Sequence, residues 1–423
     1  MPRKRRRRPN WPYRFAWLGL WLALLAYVGL QTLSHAQTMG SRATGIDWEL
    51  SLVASLFDAT IAVFFFVVGA CIGSFLNVVA YRLPLGRYIG GHSGCPYCQT
   101  AIEGVDNVPI LAWIKLRGRC RSCRLPISMQ YPLVELAVAI MFLIVYVTEF
   151  AAGGANLPGV NQLASRGGIL RVIVTPQLIF RLVTYLFLLS SLVGAALIAI
   201  KRRRVPLSLY AWGLFPLFAG GLLLPDLLVV PWRDAPPLGS VEARLDSFLT
   251  LVCGAVAGIA IARLLAPLAY RGFDRSLMST DTQSSGARQF VGAMAIAGAC
   301  VGWQSSVSLA WCVVLCGLLG ATAVLGSLGW VGRTTRISQI EPGDLTVWVW
   351  LGLLIFRAHW GWLLQLQILP ATLPEVVRHV LAALLLAPLV WLLSRVVARS
   401  AAILKDLTPE TNDLEATEPG TEL

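Results

Sequence analysis

The sequence is a succession of apolar runs, each long enough to cross a bilayer, and this pattern restricts the fold more than any other feature. About 20 apolar residues span the hydrocarbon core as a helix. Such runs lie near 15–33, 51–80, 133–150, 177–200, 206–231, 246–270, 305–331, 345–366 and 374–398, with a weaker one at 289–303. In lipid each backbone N–H and C=O must be bonded within its own segment, so these runs are expected to be helices. The expected fold class is an all-α polytopic membrane protein of about ten transmembrane helices. Composition agrees, with 56% hydrophobic and only 13% charged residues, far from a soluble domain.

Lys and Arg beside the runs set an orientation. Arg3 to Arg8 precede the first run, Lys201 to Arg204 follow the fourth, Arg271 and Arg275 the sixth, and Arg333 and Arg336 the eighth. With the N-terminus inside, all of these fall on the cytosolic side. So does the polar segment 81–131, with Arg82, Arg87, Lys115, Arg117, Arg119, Arg121 and Arg124. The weak run is retained because omitting it would invert everything after it. The net charge of +13 is thereby assigned to loops facing anionic lipid and the cytosol, and no nucleic-acid partner is expected. The first run also fits a cleaved signal peptide, with its basic start, the stretch Trp17–Leu30 and Ser34-His35-Ala36 before Gln37. Either reading leaves residue 51 outside. The acidic end from Asp406 to Leu423 reads as disordered, and 151–176 as an outside loop.

Four of the nine cysteines, Cys95, Cys98, Cys120 and Cys123, form two C-x-x-C pairs in the polar segment. That spacing matches structural zinc sites, in which four thiolates close a tetrahedral shell. Two disulfides are the alternative, which cytosolic placement disfavours because thiols are kept reduced there. Arg119, Arg121 and Arg124 are placed to offset the thiolate charge. A closed shell leaves no position for water, so the metal is expected to hold a fold together rather than to catalyse. Cys71, Cys253, Cys300, Cys312 and Cys316 lie in apolar runs and read as small buried hydrophobes. Gly69, Gly73 and Ser74 form a small-residue face suited to close helix packing, and Asn77 is placed to bond a partner helix. Asp106-Asn107 before Pro109 reads as a turn, and Glu135 sits one turn into a helix at the boundary.

The ordered series Gly69-Ala70-Cys71-Ile72-Gly73-Ser74-Phe75-Leu76-Asn77 through Arg82-Leu83-Pro84, Cys95-Pro96-Tyr97-Cys98, Asp106-Asn107-Val108-Pro109, Leu116-Arg117-Gly118-Arg119-Cys120 and Tyr131-Pro132-Leu133-Val134-Glu135 resembles the prepilin leader peptidase and N-methyltransferase family. The resemblance marks Gly73, Ser74, Asn77, Arg82, Asp106, Asn107, Arg117, Arg119 and Glu135 as family-motif residues. It implies eight family-like helices with the four-cysteine domain inserted between the second and third helices of this chain. It also implies placement in a bacterial inner membrane and substrates that are prepilins or pseudopilins. Such enzymes cut a leader after glycine on the cytosolic side and methylate the new N-terminus with S-adenosylmethionine, a cofactor implied by the resemblance alone.

The family resembles an aspartyl protease, which needs two carboxylates sharing a proton. The first aspartate is expected seven residues before a proline; here Ala199 holds that place ahead of Pro206. The second belongs upstream of a G-A-x-x-G-W marker; counting back from Gly298-Ala299-Cys300-Val301-Gly302-Trp303 gives Phe290. Other acids offer weak substitutes: Asp274 and Asp281 in a polar loop, Asp226 near an outer helix end and Asp344 opening a helix. The expected organisation is 1–50 basic N-terminus and extra helix, 51–136 family N-terminal region with the cysteine domain at 81–131, 137–345 peptidase-like membrane region, 346–402 C-terminal helices and 403–423 acidic tail. Four functions stay open: a family member without peptidase chemistry, an active peptidase and methyltransferase with a displaced acidic pair, a chain that keeps methyl transfer alone, and a membrane scaffold or transporter unrelated to pilins. A transporter would carry paired charges buried mid-span, of which the sequence offers little beyond Asp58.

Overall fold

The computed structural model describes residues 25–26, 28–29, 45–91, 93–95, 97–154, 156–157, 175–201, 203–223, 241–269, 280–330, 345–360, 363 and 374–407. The first apolar run and the acidic tail fall largely outside these residues, as does the 151–176 loop beyond 157. The described helices are α1 (Gly45–Arg82), α2 (Leu111–Leu116), α3 (Gln130–Val145), α4 (Pro176–Ile200), α5 (Leu207–Leu223), α6 (Val241–Ala269), α7 (Thr280–Val301), α8 (Trp303–Trp330), α9 (Thr346–Ala358) and α10 (Glu375–Leu407). Six are long and apolar enough to cross a membrane, and three shorter apolar helices accompany them among the described residues. The weak run at 289–303 is helical as far as Val301, within α7. Among the described residues, the run at 345–366 gives the 13-residue helix α9, with its end partly outside them.

Local chemistry sets several helix starts. Thr175 Oγ1 accepts the Leu178 N–H (3.2 Å) ahead of Pro176, so α4 opens with a side-chain cap and a proline at its first position. Ser128 Oγ likewise accepts the Gln130 N–H (3.2 Å) where α3 begins. After α3 the backbone widens into one π turn, Tyr146–Phe150, and stops at Gly153 and Gly154, both with positive φ.

The chain divides into two compact units. The first holds α1, α3, most of α4, α5, the start of α6, the end of α9 and the cysteine segment. Its centre is the α1–α3 pair. A Cβ on Gly69 would lie 2.8 Å from Ala139 Cα and one on Gly73 2.7 Å from Glu135 Cα, so only glycine allows these backbones to touch. Phe65 stacks on Tyr146 (4.9 Å), and the Tyr146 hydroxyl reaches the carbonyl oxygen of Asp58 (3.4 Å). The outer face of α1 shows Leu52, Val53, Leu56, Phe57, Phe64 and Val67, a surface suited to lipid contact. Cys71 lies on that exposed side, so the expectation of a buried thiol fails there; Cys300, Cys312 and Cys316 are buried and Cys253 partly so.

A pair absent from the sequence reading closes this unit. Arg357 donates from Nε to Glu149 Oε1 (2.5 Å) and from Nη2 to Oε2 (3.1 Å), both residues being 3% exposed. Its guanidinium lies 4.1 Å from the Tyr185 ring centroid, and its carbonyl accepts Asn156 Nδ2 (2.8 Å). The two charges are 208 residues apart, at helix ends rather than mid-span. The pair is therefore not the mid-span charge pair that a transporter would carry.

The second unit contains residues 198–205, the remainder of α6, α7, α8, the start of α9 and α10. Gly254 and Gly258 of α6 sit against the backbone of Gly298 and Met294 of α7 with no room for a side chain. Gly302, at φ 76°, separates α7 from α8. The family-like marker Gly298…Gly302-Trp303 therefore has two physical duties, close packing and a left-handed break.

Candidate functional site

The four cysteines of the polar segment converge. Their sulfur atoms all lie within 4.8 Å of one another, with Cys95–Cys123 at 3.9 Å and Cys98–Cys120 at 4.0 Å. A tetrahedral zinc with Zn–S near 2.3 Å would hold sulfurs about 3.8 Å apart. The four thiols are not joined to one another and converge on one point, the arrangement a metal ion needs.

Both knuckles are built alike. Cys95 N–H bonds Thr100 O (3.0 Å) and Gln99 N–H bonds Cys95 O (3.0 Å); Cys120 N–H bonds Leu125 O (2.9 Å) and Arg124 N–H bonds Cys120 O (3.1 Å). Antiparallel bridges Gly94–Ala101 and Arg119–Pro126 close them one residue before and six after the first cysteine. Gln99 (φ 54°) and Arg124 (φ 63°) occupy the same left-handed position in each. This turns backbone N–H groups toward sulfur, as expected from the C-x-x-C spacing. Hydrogen bonds from the Thr100 side chain and backbone pull the Cys98 thiol down to about 6. Backbone bonds from Cys123 and Ser122 lower Cys120. The Leu125 N–H also favours the Cys123 thiolate, but desolvation and the surrounding thiols outweigh it and hold Cys123 at about 11.

Around the knuckles the motif residues have definite places. Asp106 ends a 3-10 turn, Gly104–Asp106, that Asn107 caps through its N–H to Gly104 O (3.1 Å). The Asp106 carboxylate receives both Nε and Nη2 of Arg121 and Lys115 Nζ (3.4 Å). Arg121 first, with Lys115 adding to it, holds Asp106 below the usual carboxylate range against desolvation. Arg121, expected to help offset thiolate charge, is thus also paired with a carboxylate. Arg82 Nη1 reaches the carbonyls of Ile89 (3.1 Å) and Gly90 (2.7 Å), fastening the loop that leaves α1. Arg117 caps α2 in the left-handed region, and Arg119 supplies a bridge backbone with its side chain exposed. Gly118, at φ 64°, lies under the Trp113 ring, whose Nε1 donates to Ile127 O (3.1 Å).

The remaining motif residues join this module to the membrane pair. Asn77 Nδ2 reaches Tyr131 O of α3 (3.4 Å) as well as Gly73 O (3.3 Å). Glu135 Oε2 accepts the Ile110 N–H (2.6 Å), and the Ser74 side chain lies beside the same carboxylate. Sequence reasoning placed Glu135 at the boundary but missed Ile110, which no motif rule singles out.

Ala199 and Phe290 both belong to the second unit and are buried, 5% and 1% exposed. Their segments are adjoining: Gln289 Nε2 donates to Arg203 O (2.7 Å). Beyond α4, burial first and then Arg203 push the Lys201 ammonium below its ordinary value. Asp226, Asp274 and Asp344 lie outside the described residues, as does the side chain of Asp281, whose backbone is in α7.

The sequence model of the Bacterial Peptidase A24 N-terminal domain matches residues 67–149, the α1–α3 pair with the cysteine module between its helices. A prepilin leader peptidase/N-methyltransferase of Myxococcus xanthus is 31% identical over 296 residues, 70% of this chain and 72% of that protein. The chain belongs to the prepilin leader peptidase/N-methyltransferase family. Proteins of the same description from Pectobacterium carotovorum (31% over 275 residues, 79% of its length) and Dickeya chrysanthemi (29% over 330 residues, 93% of its length) extend the likeness across the membrane helices. No solved structure matches the chain. As a member of this family with six bilayer-length helices, it is an integral membrane protein whose Cys95–Cys98–Cys120–Cys123 cluster has the donors and spacing to hold a metal ion.

Proposed function

We propose that this chain is a prepilin peptidase-like membrane protein that keeps the family's metal module and helical scaffold but has lost aspartyl endopeptidase chemistry. The observation that carries the reading is the occupation of both aspartate positions by buried apolar residues, Ala199 and Phe290, on adjoining segments. A dyad works by sharing one proton between two carboxylates at close range. An alanine and a phenylalanine have none to share. The metal is zinc in a structural role, held by Cys95, Cys98, Cys120 and Cys123, because a four-thiolate shell has no open position for a reacting water. The protein acts in processing or assembly of type IV pilins or type II secretion pseudopilins, through leader binding or a partner. The N-terminus and the metal module face the cytosol.

The functional division follows the sequence boundaries 1–50, 51–136, 137–345, 346–402 and 403–423. Expression in cells lacking their own prepilin peptidase, with leader removal followed by gel shift, tests the proposal. The expected result is uncleaved prepilin; cleavage would establish an active enzyme using a displaced acidic pair such as Asp274 or Asp281.

A further inference from the structure

The cysteine module meets the membrane helices at one strained residue. Leu111 N–H bonds Pro109 O (2.6 Å), which makes Ile110 the centre of a three-residue turn at φ 62°, ψ −55°. A γ-turn of this hand is rare and strained, and a β-branched side chain is among the least suited to positive φ. Left to itself, such a residue would favour other backbone basins by a factor on the order of tenfold or more.

What opposes that escape is the Ile110 N–H donating to Glu135 Oε2 at 2.6 Å. Glu135 is 8% exposed and fixed from both helices. Ser74 of α1 lies beside its carboxylate, and Gly73 lets the α1 backbone touch its Cα. On the other side, Ile110 opens α2, which passes through Arg117 and Gly118 directly into Cys120. Trp113 of α2 is tied to Ile127, beyond the second knuckle. A continuous path therefore runs from the four thiols to the α1–α3 pair through one amide.

We propose that Glu135 is a positioning residue that holds Ile110 in its strained turn and so couples order in the cysteine module to the packing of α1 on α3. The turn and its acceptor stand on geometry alone; the extension to metal retention rests on the zinc reading given above.

The test uses the full-length protein in lipid nanodiscs as wild type, Glu135→Ala, Ile110→Gly and the double variant. Hydrogen exchange of residues 108–116 is followed by mass spectrometry, beside zinc content and the rate of zinc release to a chelator. Glycine adopts positive φ without strain, so Ile110→Gly removes the need for a latch. Glu135→Ala should speed exchange of 108–116 about tenfold or more and accelerate zinc release. In the Ile110→Gly background the same substitution should have an effect at least about threefold smaller, the signature of coupled rather than independent sites. Equal effects in both backgrounds, or exchange unchanged by Glu135→Ala, would overturn the proposal. If Glu135→Ala does not accumulate, Glu135→Gln decides: its amide oxygen still accepts the Ile110 N–H and should keep wild-type exchange, whereas fast exchange refutes the latch. Wild type purified without zinc would remove the metal reading and leave this one to the exchange measurement.

Discussion

The cysteine module and the segments around Ala199 and Phe290 stand in contrast. In the module, motif residues from Ser74 to Glu135 are engaged: Asp106 with Arg121, Arg82 with two loop carbonyls, Asn77 with Tyr131, Glu135 with Ile110. In the other region, the glycines Gly298 and Gly302 stand downstream of Phe290, which the proposal places at the aspartate position. The glycines have packing duties, a close approach to Gly254 and a left-handed break. A carboxylate at 290 would have none; a ring that is 1% exposed fills the space instead. On the proposed reading, requirements of fold and requirements of chemistry are separable within one helix, α7 meeting the first without the second.

The largest test of that contrast is to remove one thiolate. Structural zinc supplies about 10–16 kcal/mol of folding free energy in small domains, so Cys95→Ser should abolish zinc in purified protein and open 81–131 to protease while helical circular dichroism persists. Unchanged metal content would overturn the assignment. In the second region Phe290→Ala should cost about 3–5 kcal/mol through the cavity it leaves, read as a fall in thermal unfolding temperature with no change in zinc. If Phe290→Ala is neutral, the position is not a packing site and the contrast fails. Glu149→Ala should cost a similar amount, about 3–5 kcal/mol, because Arg357 is then buried without its counter-charge. Replacing both partners with apolar residues of similar volume should return much of it. Equal losses in the single and double variants would show that the ion pair itself supplies the stability.

Much of this architecture is legible because the signals are local. Apolar length declares most of the spans, and two C-x-x-C pairs declare the cluster. Gly69 and Gly73 read as a packing face because helical spacing puts small residues on one side. What escapes is long-range or conformational. Glu149 and Arg357 are separated by 208 residues, and neither has a local pattern that names the other. Ile110 looks like an ordinary apolar residue after a proline; its turn is imposed by Glu135, which arrives from the next helix. Residues in the left-handed region are usually betrayed by glycine, and Gln99 and Arg124 give no such cue.

The thiols offer a finer comparison inside the module. In metal-free protein, folding favours the Cys98 thiolate, since its value falls from 9.0 to about 6. That contribution is complete above pH 9 and is lost as pH falls through about 6. Cys123, raised from 9.0 to about 11, behaves oppositely: its contribution is complete below 9 and lost as pH rises through 11. At pH 7 the thiolate fractions differ by about four orders of magnitude, and the lower intrinsic nucleophilicity of an acidic thiol returns about two of them. Iodoacetamide should thus label Cys98 about a hundredfold faster than Cys123 after chelation, as peptide mapping would show. Equal rates would mean that the two knuckles are electrostatically alike as well as geometrically alike.

The smallest expected effect addresses that geometric likeness. Gln99 and Arg124 each hold the fifth position of a knuckle at positive φ, where an L side chain costs about 1–2 kcal/mol. Glycine removes that cost but gives back part of it through the greater freedom of the unfolded chain. Gln99→Gly and Arg124→Gly should therefore each stabilise the module by about 0.5–1 kcal/mol, seen as slower zinc release to a chelator. Because both positions serve the same turn through the same pair of backbone bonds, the two gains should match and add. A gain at one knuckle alone would show that the other derives its left-handed residue from something beyond the turn. Arg124 is the position to watch, since it also adds charge beside Cys123.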